Sequence, residues 1–269
     1  MSAVLGRARS TLRYTAKGRS GEEPLLQAIR RLARQHLRWG YRRIQARLEK
    51  QGWTVKLKKV RRLWQQLGLR RKVRRRPANK RGPKVGTSAT SCVNQAARCK
   101  NAVWTYDFNA DRTAGGRTLT WLTLVDEYTR ECLALHGADA LTGADGRQVL
   151  ARVVSRRGAA KRMRSANGSE FICEALKSWL PRQGTEPIPV APGRPWENGF
   201  IESFSSRFRD EFLEMEEFES ALDAKEKGEW FRRESNMIRP HSSIEYKTPK
   251  ECSAACDRGL HGQPPQNKE

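Results

Sequence analysis

Three stretches decide the fold: AVWTYDF (residues 102–108), RTLTWLTLVDEYTR (117–130) and ECLALHGA (131–138). Apolar and polar residues alternate along much of each stretch, which is the period of a β-strand with one buried face. The turn TAGG (113–116) separates the first two stretches. We therefore predict three consecutive strands between residues 102 and 138.

Beyond these strands, helical and extended patterns alternate. GADGRQVLARVVSRRG (143–158) and SEFICEALKSWLPRQG (169–184) have helical spacing, whereas AKRMRS (160–165) and TEPIPVAP (185–192) indicate short strands. Ile201, Phe204, Phe208 and Phe212 predict a long helix over 197–215. The acidic stretch 209–229 is expected to form a solvated helical face or a surface for another subunit. This order predicts an α/β fold, a mixed five-stranded sheet flanked by helices.

The first third of the chain is predicted to be a small all-α module. Three segments, 22–37, 41–52 and 56–69, carry apolar residues at helical spacing. These residues are Leu25, Leu26, Ile29, Leu32, Ala33, Leu37, Tyr41, Ile44, Leu48, Val60, Leu63, Trp64 and Leu67. Short helices with short connections are typical of a helix-turn-helix-like module, and the alternative is a plain helical hairpin packed on the next domain.

The positive charge lies almost entirely in this first third. Residues 1–90 contain 27 Lys and Arg but only 3 Asp and Glu, whereas residues 91–269 contain 26 of each. The net charge of +24 is therefore one-sided, which indicates a polyanionic partner. Nucleic acid is favoured over a membrane because no basic amphipathic segment has a wide aromatic face. No apolar run has the length of a membrane span.

The cations expected to contact DNA phosphates lie on the second and third predicted helices and in the segment 70–95. That segment is rich in Gly, Pro and basic residues and has no apolar period, which predicts an extended linker. The expected DNA-binding residues are Arg42, Arg43, Arg47, Lys56, Lys58, Lys59, Arg61, Arg62, Arg71, Lys72, Arg74, Arg75 and Arg76. The six cysteines lack the spacing of a structural zinc site and are expected to be reduced thiols.

Two carboxylates are candidates for catalysis. Asp107 lies between Tyr106 and Phe108 in an aromatic strand, and Glu202 lies on the long predicted helix. Each has an ordinary explanation when taken alone, as a solvent-facing Asp or a surface Glu. A polynucleotidyl transferase, however, needs acidic side chains around two divalent cations that assist an in-line displacement. Such oxygen ligands suit Mg²⁺ or Mn²⁺.

Six segments, in order along the chain, resemble the insertion-sequence transposases of the OrfB type. The core of that family is similar to retroviral integrases and to the wider ribonuclease-H-like superfamily. The segments are WGYRRIQARLEKQGWTVKLKKVRRLWQQLGLRR (39–71), VWTYDF (103–108), LTLVDEYTRECLAL (122–135), RSANGSEF (164–171), APGRPWENGFIESFSSRFRDEFL (191–213) and IRPHSSIEYKTPKE (238–251). The resemblance implies a ribonuclease-H-like core in which Asp107 and Glu202 are catalytic residues and ligands of Mg²⁺ or Mn²⁺.

One position departs from the family. The family carries a second catalytic Asp directly before Asn-Gly, with 35 residues between that Asp and the catalytic Glu. Here Ala166 precedes Asn167, and 35 residues separate it from Glu202. We therefore predict a chain that binds DNA but is inactive or severely impaired in cleavage and joining. Glu170 is expected to begin the next helix and to point away, and the replacement is compatible with natural or engineered origin.

The resemblance also implies an organisation and partners. The predicted regions are a basic helical DNA-binding module (1–69), the linker (70–95), an integrase-like catalytic core (96–220) and a C-terminal helical extension (221–269). The expected partner is double-stranded DNA, at element ends and target, bound by a homo-oligomer. An upstream-frame protein with another helix-turn-helix is a further expected partner. Asn198 matches a family position that shapes the approach of DNA, or it begins a helix. The expected location is the bacterial cytoplasm, on the nucleoid.

Two other functions are compatible with parts of this pattern. A non-catalytic DNA-binding regulator, or a competitor of an active transposase, would have the same basic module and would not need the missing carboxylate. A ribonuclease acting on RNA–DNA hybrids would share the metal chemistry. That function accounts for neither the 35-residue interval nor the segment at 238–251, so transposition is the favoured function.

Overall fold

The computed structural model describes residues 21–69, 96–165, 170–188 and 199–259. The chain divides into two compact units, residues 1–72 and 73–269. Ala166, Asn198 and the linker cations Arg71, Lys72 and Arg74 to Arg76 lie outside the described residues, so the predictions for them are untested. The four predicted regions have finer boundaries than this division, and they too stay a prediction.

The N-terminal unit contains three helices, α1 (Glu23–Gln35), α2 (Tyr41–Lys50) and α3 (Leu57–Gln66). Each buries the apolar stripe that its sequence predicts, and Ile29, Ile44 and Leu63 are fully buried. Glu22 fixes the start of α1 to α3, because Nη2 of Arg62 lies 2.5 Å from its Oε1. The prediction for Leu37 is wrong: α1 ends at Gln35, and Leu37 is exposed.

The C-terminal unit is built on a mixed five-stranded sheet. The strands are β1 (Val103–Arg112), β2 (Thr118–Asp126), β3 (Cys132–Ala138), β4 (Arg162–Ser165) and β5 (Glu186–Ile188). Their spatial order is β3-β2-β1-β4-β5. β1 pairs antiparallel with β2, and β2 with β3, whereas β4 is parallel to both β1 and β5. The predicted α/β architecture is confirmed.

Helices cover both faces of this sheet. They are α4 (Gly143–Arg157), α5 (Glu170–Trp179), α6 (Gly199–Phe208), α7 (Ala221–Met237) and α8 (Pro249–Asp257). Trp104 and Tyr106 of β1 pack with α4 and α5 on one face. Trp121 of β2 packs with Phe204 and Phe208 of α6 and with Phe231 of α7 on the other. The alternation of side chains along β1 and β2 thus separates two cores.

The long helix predicted over 197–215 is present, and its last turn is π-helical. α6 ends at Phe208 and continues as a π-helical turn, Arg209–Leu213. Residues 216–220 are not helical, and α7 begins at Ala221. The acidic stretch 209–229 is therefore not one helical face, and that prediction is wrong. Phe212, in the π-helical turn, and Phe218, among the non-helical residues, both bury their rings.

None of the helices in the described ranges combines the length and the hydropathy that crossing a bilayer requires.

Candidate active site

Asp107 lies in the middle of β1, on the face of the sheet that α6 covers. Its residue partner on β2 is Thr123, whose Oγ1 donates a hydrogen bond to the Asp107 carbonyl oxygen at 3.1 Å. Because side chains alternate along a strand, Tyr106 and Phe108 point to the opposite face and pack in the other core. The strand pattern therefore directs one carboxylate toward α6.

Ser205 joins the Asp107 carboxylate to α6. Ser205 Oγ donates to Asp107 Oδ2 at 2.8 Å, and it accepts a hydrogen bond from Nδ2 of Asn109 at 3.2 Å. The backbone N–H of Phe108 donates to Oδ1 at 2.8 Å. Asp107 is half-buried, and each of its carboxylate oxygens accepts a hydrogen bond. The carboxylate is thus held in one orientation at the junction of strand and helix.

Glu202 lies one turn before Ser205 on α6, so the two side chains share a face of the helix. Partial burial raises the pKa of the exposed Glu202 carboxyl, and the negative charge of Asp107 raises it further. Burial likewise raises the pKa of Asp107, although the hydrogen bonds from Ser205 and Phe108 and the charge of Arg209 oppose that effect. Asp107 and Glu202 therefore lie within electrostatic range of one another.

Arg209 completes this face of the helix region. It is exposed, follows Ser205 by four residues, and opens the π-helical turn. Its positive charge lowers the pKa of Asp107. A cation near an acidic group is suited to hold an anionic substrate that must approach that group.

The described part of β4 ends one residue before Ala166. Ser165 pairs in parallel register with Tyr106, the residue that directly precedes Asp107. The position of Ala166 itself, like that of Asn198 just before α6, lies outside the described residues. The structure thus describes two of the three predicted catalytic positions, Asp107 and Glu202, and these two interact electrostatically.

The side chains of this site offer the kind of donor atom that hard divalent cations bind, but they offer too few of them. Asp107 and Glu202 supply carboxylate oxygens, and the negative charge of Asp107, which together with burial raises the pKa of Glu202, is one that a cation would offset. Within residues 21–69, 96–165, 170–188 and 199–259, no three His, Cys, Asp or Glu side chains form a group that could hold a metal ion. Ala166 has no donor atom to complete such a set.

In the N-terminal unit, the predicted DNA-binding residues lie on α2 and α3 or at the start of α3. Most are exposed, but their surroundings differ. Arg62 is bound to Glu22 through both carboxylate oxygens, at 2.5 and 2.7 Å, and Lys59 lies 3.4 Å from the same carboxylate. Lys58 and Arg61 are exposed and form no ion pair with any residue in the described ranges. Arg42, Arg43, Arg47 and Lys56 complete the set that the structure describes.

Comparison with known proteins matches both units. The HTH-like domain family matches residues 20–77, and integrase core domain families match residues 97–195 and 183–249. The chain is 32% identical over 251 residues to the uncharacterized 31.7 kDa protein of insertion element IS407 from Burkholderia multivorans, a match that covers 93% of this chain and 88% of that protein. The chain belongs to the insertion-sequence transposases of the OrfB type.

Two further relatives agree with this family. The 39.2 kDa protein of insertion element IS476 from Xanthomonas euvesicatoria is 32% identical, over 93% of this chain and 70% of that protein. The transposase of IS904 from Lactococcus lactis is 24% identical, over 89% of this chain and 97% of that protein. Among solved structures, the catalytic core of HTLV-2 integrase in complex with magnesium gives a TM-score of 0.45 at 12% identity, covering 58% of this chain and 97% of that chain.

The activity of this transposase family is polynucleotidyl transfer on DNA. The C-terminal unit has the ribonuclease-H-like fold of integrase cores. Sequence reasoning selected Asp107 and Glu202 but missed Ser205, Asn109 and Arg209. The sequence contains a signal for two of these residues: Ser205 and Arg209 follow Glu202 by three and seven residues, a helical spacing that places them on one face with it. Asn109 lies two residues beyond Asp107, on the same face of β1.

Proposed function

We propose that this chain is a transposase that cleaves and joins DNA at insertion-sequence ends, and that it lacks one of the three acidic residues of its active site. Asp107 on β1 and Glu202 on α6 would hold Mg²⁺ or Mn²⁺. Such ions, if bound, would supply activation of the attacking oxygen and stabilisation of the leaving oxygen in an in-line displacement. The observation that carries the proposal is that Ser205 of α6 donates a hydrogen bond to Asp107, whose charge also raises the pKa of Glu202 on the same helix.

The residues of the chain itself would orient and hold the reacting groups. Ser205 and the Phe108 N–H fix the Asp107 carboxylate, and Arg209 would neutralise a phosphate that approaches it. Ala166 stands where the family has the second Asp. Because loss of a group that merely supports a metal ligand lowers metal affinity or activity by about 10–100-fold, loss of a ligand should cost at least that much. We therefore infer that the chain binds DNA and is severely impaired in catalysis.

DNA binding is assigned to the basic N-terminal unit, with Arg42, Arg43, Arg47, Lys56, Lys58, Lys59, Arg61 and Arg62 as contacts to phosphates. The linker cations Arg71, Lys72, Arg74, Arg75 and Arg76 would extend this surface, and Asn198 would lie where DNA approaches the carboxylates. The four regions 1–69, 70–95, 96–220 and 221–269 would be the functional divisions. We further propose a homo-oligomer on double-stranded DNA, with an upstream-frame protein as a partner in the recognition of element ends.

A second function is favoured by Ala166 alone. A chain that binds element ends without cutting them would act as a regulator or competitor of an active transposase. Both functions require salt-dependent DNA binding, because neutralisation of phosphates supplies most of the affinity. The two functions differ in whether the active site is intact apart from Ala166. Restoring the carboxylate distinguishes them.

The experiment compares the full-length chain with its Ala166→Asp variant in strand transfer. Pre-cleaved duplexes with candidate element ends, first selected by gel shift, are incubated with Mn²⁺ or Mg²⁺. We expect activity in Ala166→Asp at least about 100-fold above that of the chain with Ala166. Ala166→Asp combined with Glu202→Gln is the control and should be inactive. Near-normal strand transfer with Ala166, or none in Ala166→Asp despite tight end binding, would contradict the proposal.

A further inference from the structure

The outward side of α7 carries large apolar side chains that the fold leaves in solvent. Leu222, Trp230 and Met237 are 65%, 61% and 59% exposed. They make up three of the six large apolar side chains that are exposed within the described residues. Exposed apolar residues that lie singly on a surface are ordinary, whereas a group of them on one element marks an interaction surface. The outward side of α7 is therefore a candidate interface.

The exposed residues form a narrow stripe along the helix. At 3.6 residues per turn, positions 222, 226, 230, 233 and 237 fall within about 80° of arc. The α7 stripe is defined by these positions and consists of Leu222, Glu226, Trp230, Arg233 and Met237. The buried residues of the helix, centred about 175° from this arc, are Ala224, Gly228, Phe231, Ser235 and Asn236. Packing on the sheet therefore presents the α7 stripe directly to solvent.

The charges of the α7 stripe are available to a partner. Glu226 is exposed and forms no ion pair with a residue in the described ranges. Arg233 pairs with Glu229 through Nε at 3.0 Å, but its Nη1 and Nη2 atoms form no hydrogen bond to a described residue. Glu229 is also shared with Arg232, whose Nε lies 2.7 Å from it. Arg233 therefore keeps donors and positive charge for a carboxylate of another molecule.

The α7 stripe is self-complementary about its own midpoint. Leu222 and Met237 lie equally far from the point between positions 229 and 230, and so do Glu226 and Arg233. If a second α7 lies antiparallel, with a twofold axis at that point, each Leu222 faces a Met237 and each Glu226 faces an Arg233. Trp230 lies beside the axis, so two indole rings meet at the centre. An isologous contact of this kind, with the same patch on both subunits, is the commonest form of dimer.

We propose that two copies of this chain associate through their α7 stripes, as an antiparallel helix pair with Trp230 at its centre. A second copy is favoured over a different protein because the stripe supplies the complement of each of its own charges. Trp, Met and Arg are enriched at interfaces, and central aromatic residues carry much of the binding free energy. The inference deepens the homo-oligomer of the proposed function and rests on it, but it does not depend on catalysis.

Sedimentation velocity of the full-length chain, freed of nucleic acid and studied over a range of concentrations, tests the proposal. We expect a concentration-dependent dimer. Trp230→Ala should raise the Kd for dimerisation at least about 30-fold, because both copies lose the central contact. Glu226→Arg and Arg233→Glu should each raise it at least about 100-fold, because each substitution places like charges opposite one another. All three side chains are exposed, so the Tm should change little.

A charge exchange tests the antiparallel register itself. The double variant Glu226→Arg/Arg233→Glu restores both ion pairs and should dimerise within about tenfold of the parent chain. An equimolar mixture of the two single variants, each monomeric alone, should form a heterodimer, because every facing pair then has opposite charges. Glu174→Arg is the matched control, since Glu174 is exposed on α5, which packs on the opposite face of the sheet. Its Kd should equal that of the parent chain.

The outcomes separate this inference from the function on which it rests. A chain that is monomeric at every concentration would leave the α7 stripe to a different protein and overturns the inference. A dimer that both single charge reversals leave intact overturns it too, while the homo-oligomer of the proposed function stands. A mixture without heterodimer overturns the antiparallel register. If the dimer forms as expected but Ala166→Asp neither binds element ends nor transfers strands, the proposed function is wrong and the association through α7 stands.

Discussion

Ser205 of α6 and Asp107 of β1 are joined by a hydrogen bond of 2.8 Å between Oγ and Oδ2. This bond fixes the strand that carries one acidic residue to the helix that carries the other. It also lowers the pKa of Asp107, in opposition to the effect of burial. The bond therefore orients the carboxylate and favours its ionised form, which a metal ligand must have.

Ser205→Ala in the Ala166→Asp background should weaken Mn²⁺ binding by about tenfold, because the orientation of Asp107 is lost. Electron paramagnetic resonance of free Mn²⁺ measures the change. Ser206→Ala is the control, because Ser206 is the exposed neighbour on the same helix. Equal affinities of the two variants would show that Ser205 does not support the site.

Asp107→Asn should stabilise the protein at pH 7 in the presence of EDTA. Burial raises the pKa of Asp107 above its ordinary value of 3.8, so the carboxyl favours the folded state when it is protonated. That contribution is present below the ordinary pKa and is lost as the pH rises through the raised pKa of the folded state. The Asn side chain does not titrate, so the variant loses no stability over this pH range. Urea unfolding at several pH values measures the difference in stability.

The stabilisation by Asp107→Asn should disappear below pH 3.8, where the parent carboxyl is protonated in both states. Asp111→Asn, at the far end of the same strand, controls for the change in net charge. A stability difference for Asp107→Asn that is independent of pH would contradict the assignment to burial. Sites that bind ligands commonly carry such a stability penalty in their empty form.

Arg61→Ala and Arg62→Ala should affect DNA binding differently, although the residues are neighbours on α3. Arg61 is exposed and has no ion pair within the described residues, whereas Arg62 is neutralised by Glu22 at 2.5 Å. Arg61→Ala should reduce the slope of log K against log salt by about one. Arg62→Ala should change that slope by less than about half as much.

Fluorescence anisotropy with a labelled duplex at several NaCl concentrations measures both slopes. The Tm provides the complementary control, because Arg62→Ala breaks the contact between α3 and the start of α1 and should lower the Tm more than Arg61→Ala. Identical slopes for the two variants would mean that neither cation contacts phosphate, or that Arg62 leaves Glu22 on binding DNA.

Alternating and helical periods in the sequence were sufficient for the architecture of the C-terminal unit. The five strands and the flanking helices lie close to the predicted segments, because one buried face imposes a period on each element. The helix predicted over 197–215 ends at Leu213, close to its predicted end, but the non-helical residues 216–220 within the acidic stretch 209–229 were missed. The apolar spacing continues through Phe212, and the return of the chain depends on Phe218, whose ring packs against Phe212 and Trp121. Such contacts between distant residues leave no local period.

The acidic pair of the site was predictable because Asp107 interrupts an aromatic strand and Glu202 lies in a recognisable segment. The group that holds Asp107 was not. Ser205 is an ordinary helix residue until β1 is placed beneath it. Elsewhere in the C-terminal unit, Glu127 resembles a surface turn residue until Arg164 is found buried against it. Hydrogen bonds and ion pairs across elements depend on topology, which the local sequence does not encode.

Gly228 offers the clearest test of packing between α7 and the sheet. Ala in place of Gly stabilises an ordinary helix by about 1 kcal/mol. A Cβ at residue 228, however, would lie 2.6 Å from Cζ3 of Trp121, which is fully buried. The indole cannot withdraw, because it is surrounded by the rings of Phe208, Phe212 and Phe218. Gly228→Ala should therefore destabilise the protein by about 1–3 kcal/mol.

A double-mutant cycle with Trp121→Phe identifies the cause. The smaller ring makes space for the added Cβ, so Gly228→Ala should be far less destabilising in the Trp121→Phe background, with a coupling free energy on the order of 1 kcal/mol. Urea unfolding of the four proteins gives this value. If the two substitutions are additive, the loss of stability arises elsewhere in α7, and close packing on Trp121 does not explain why this helix contains Gly228.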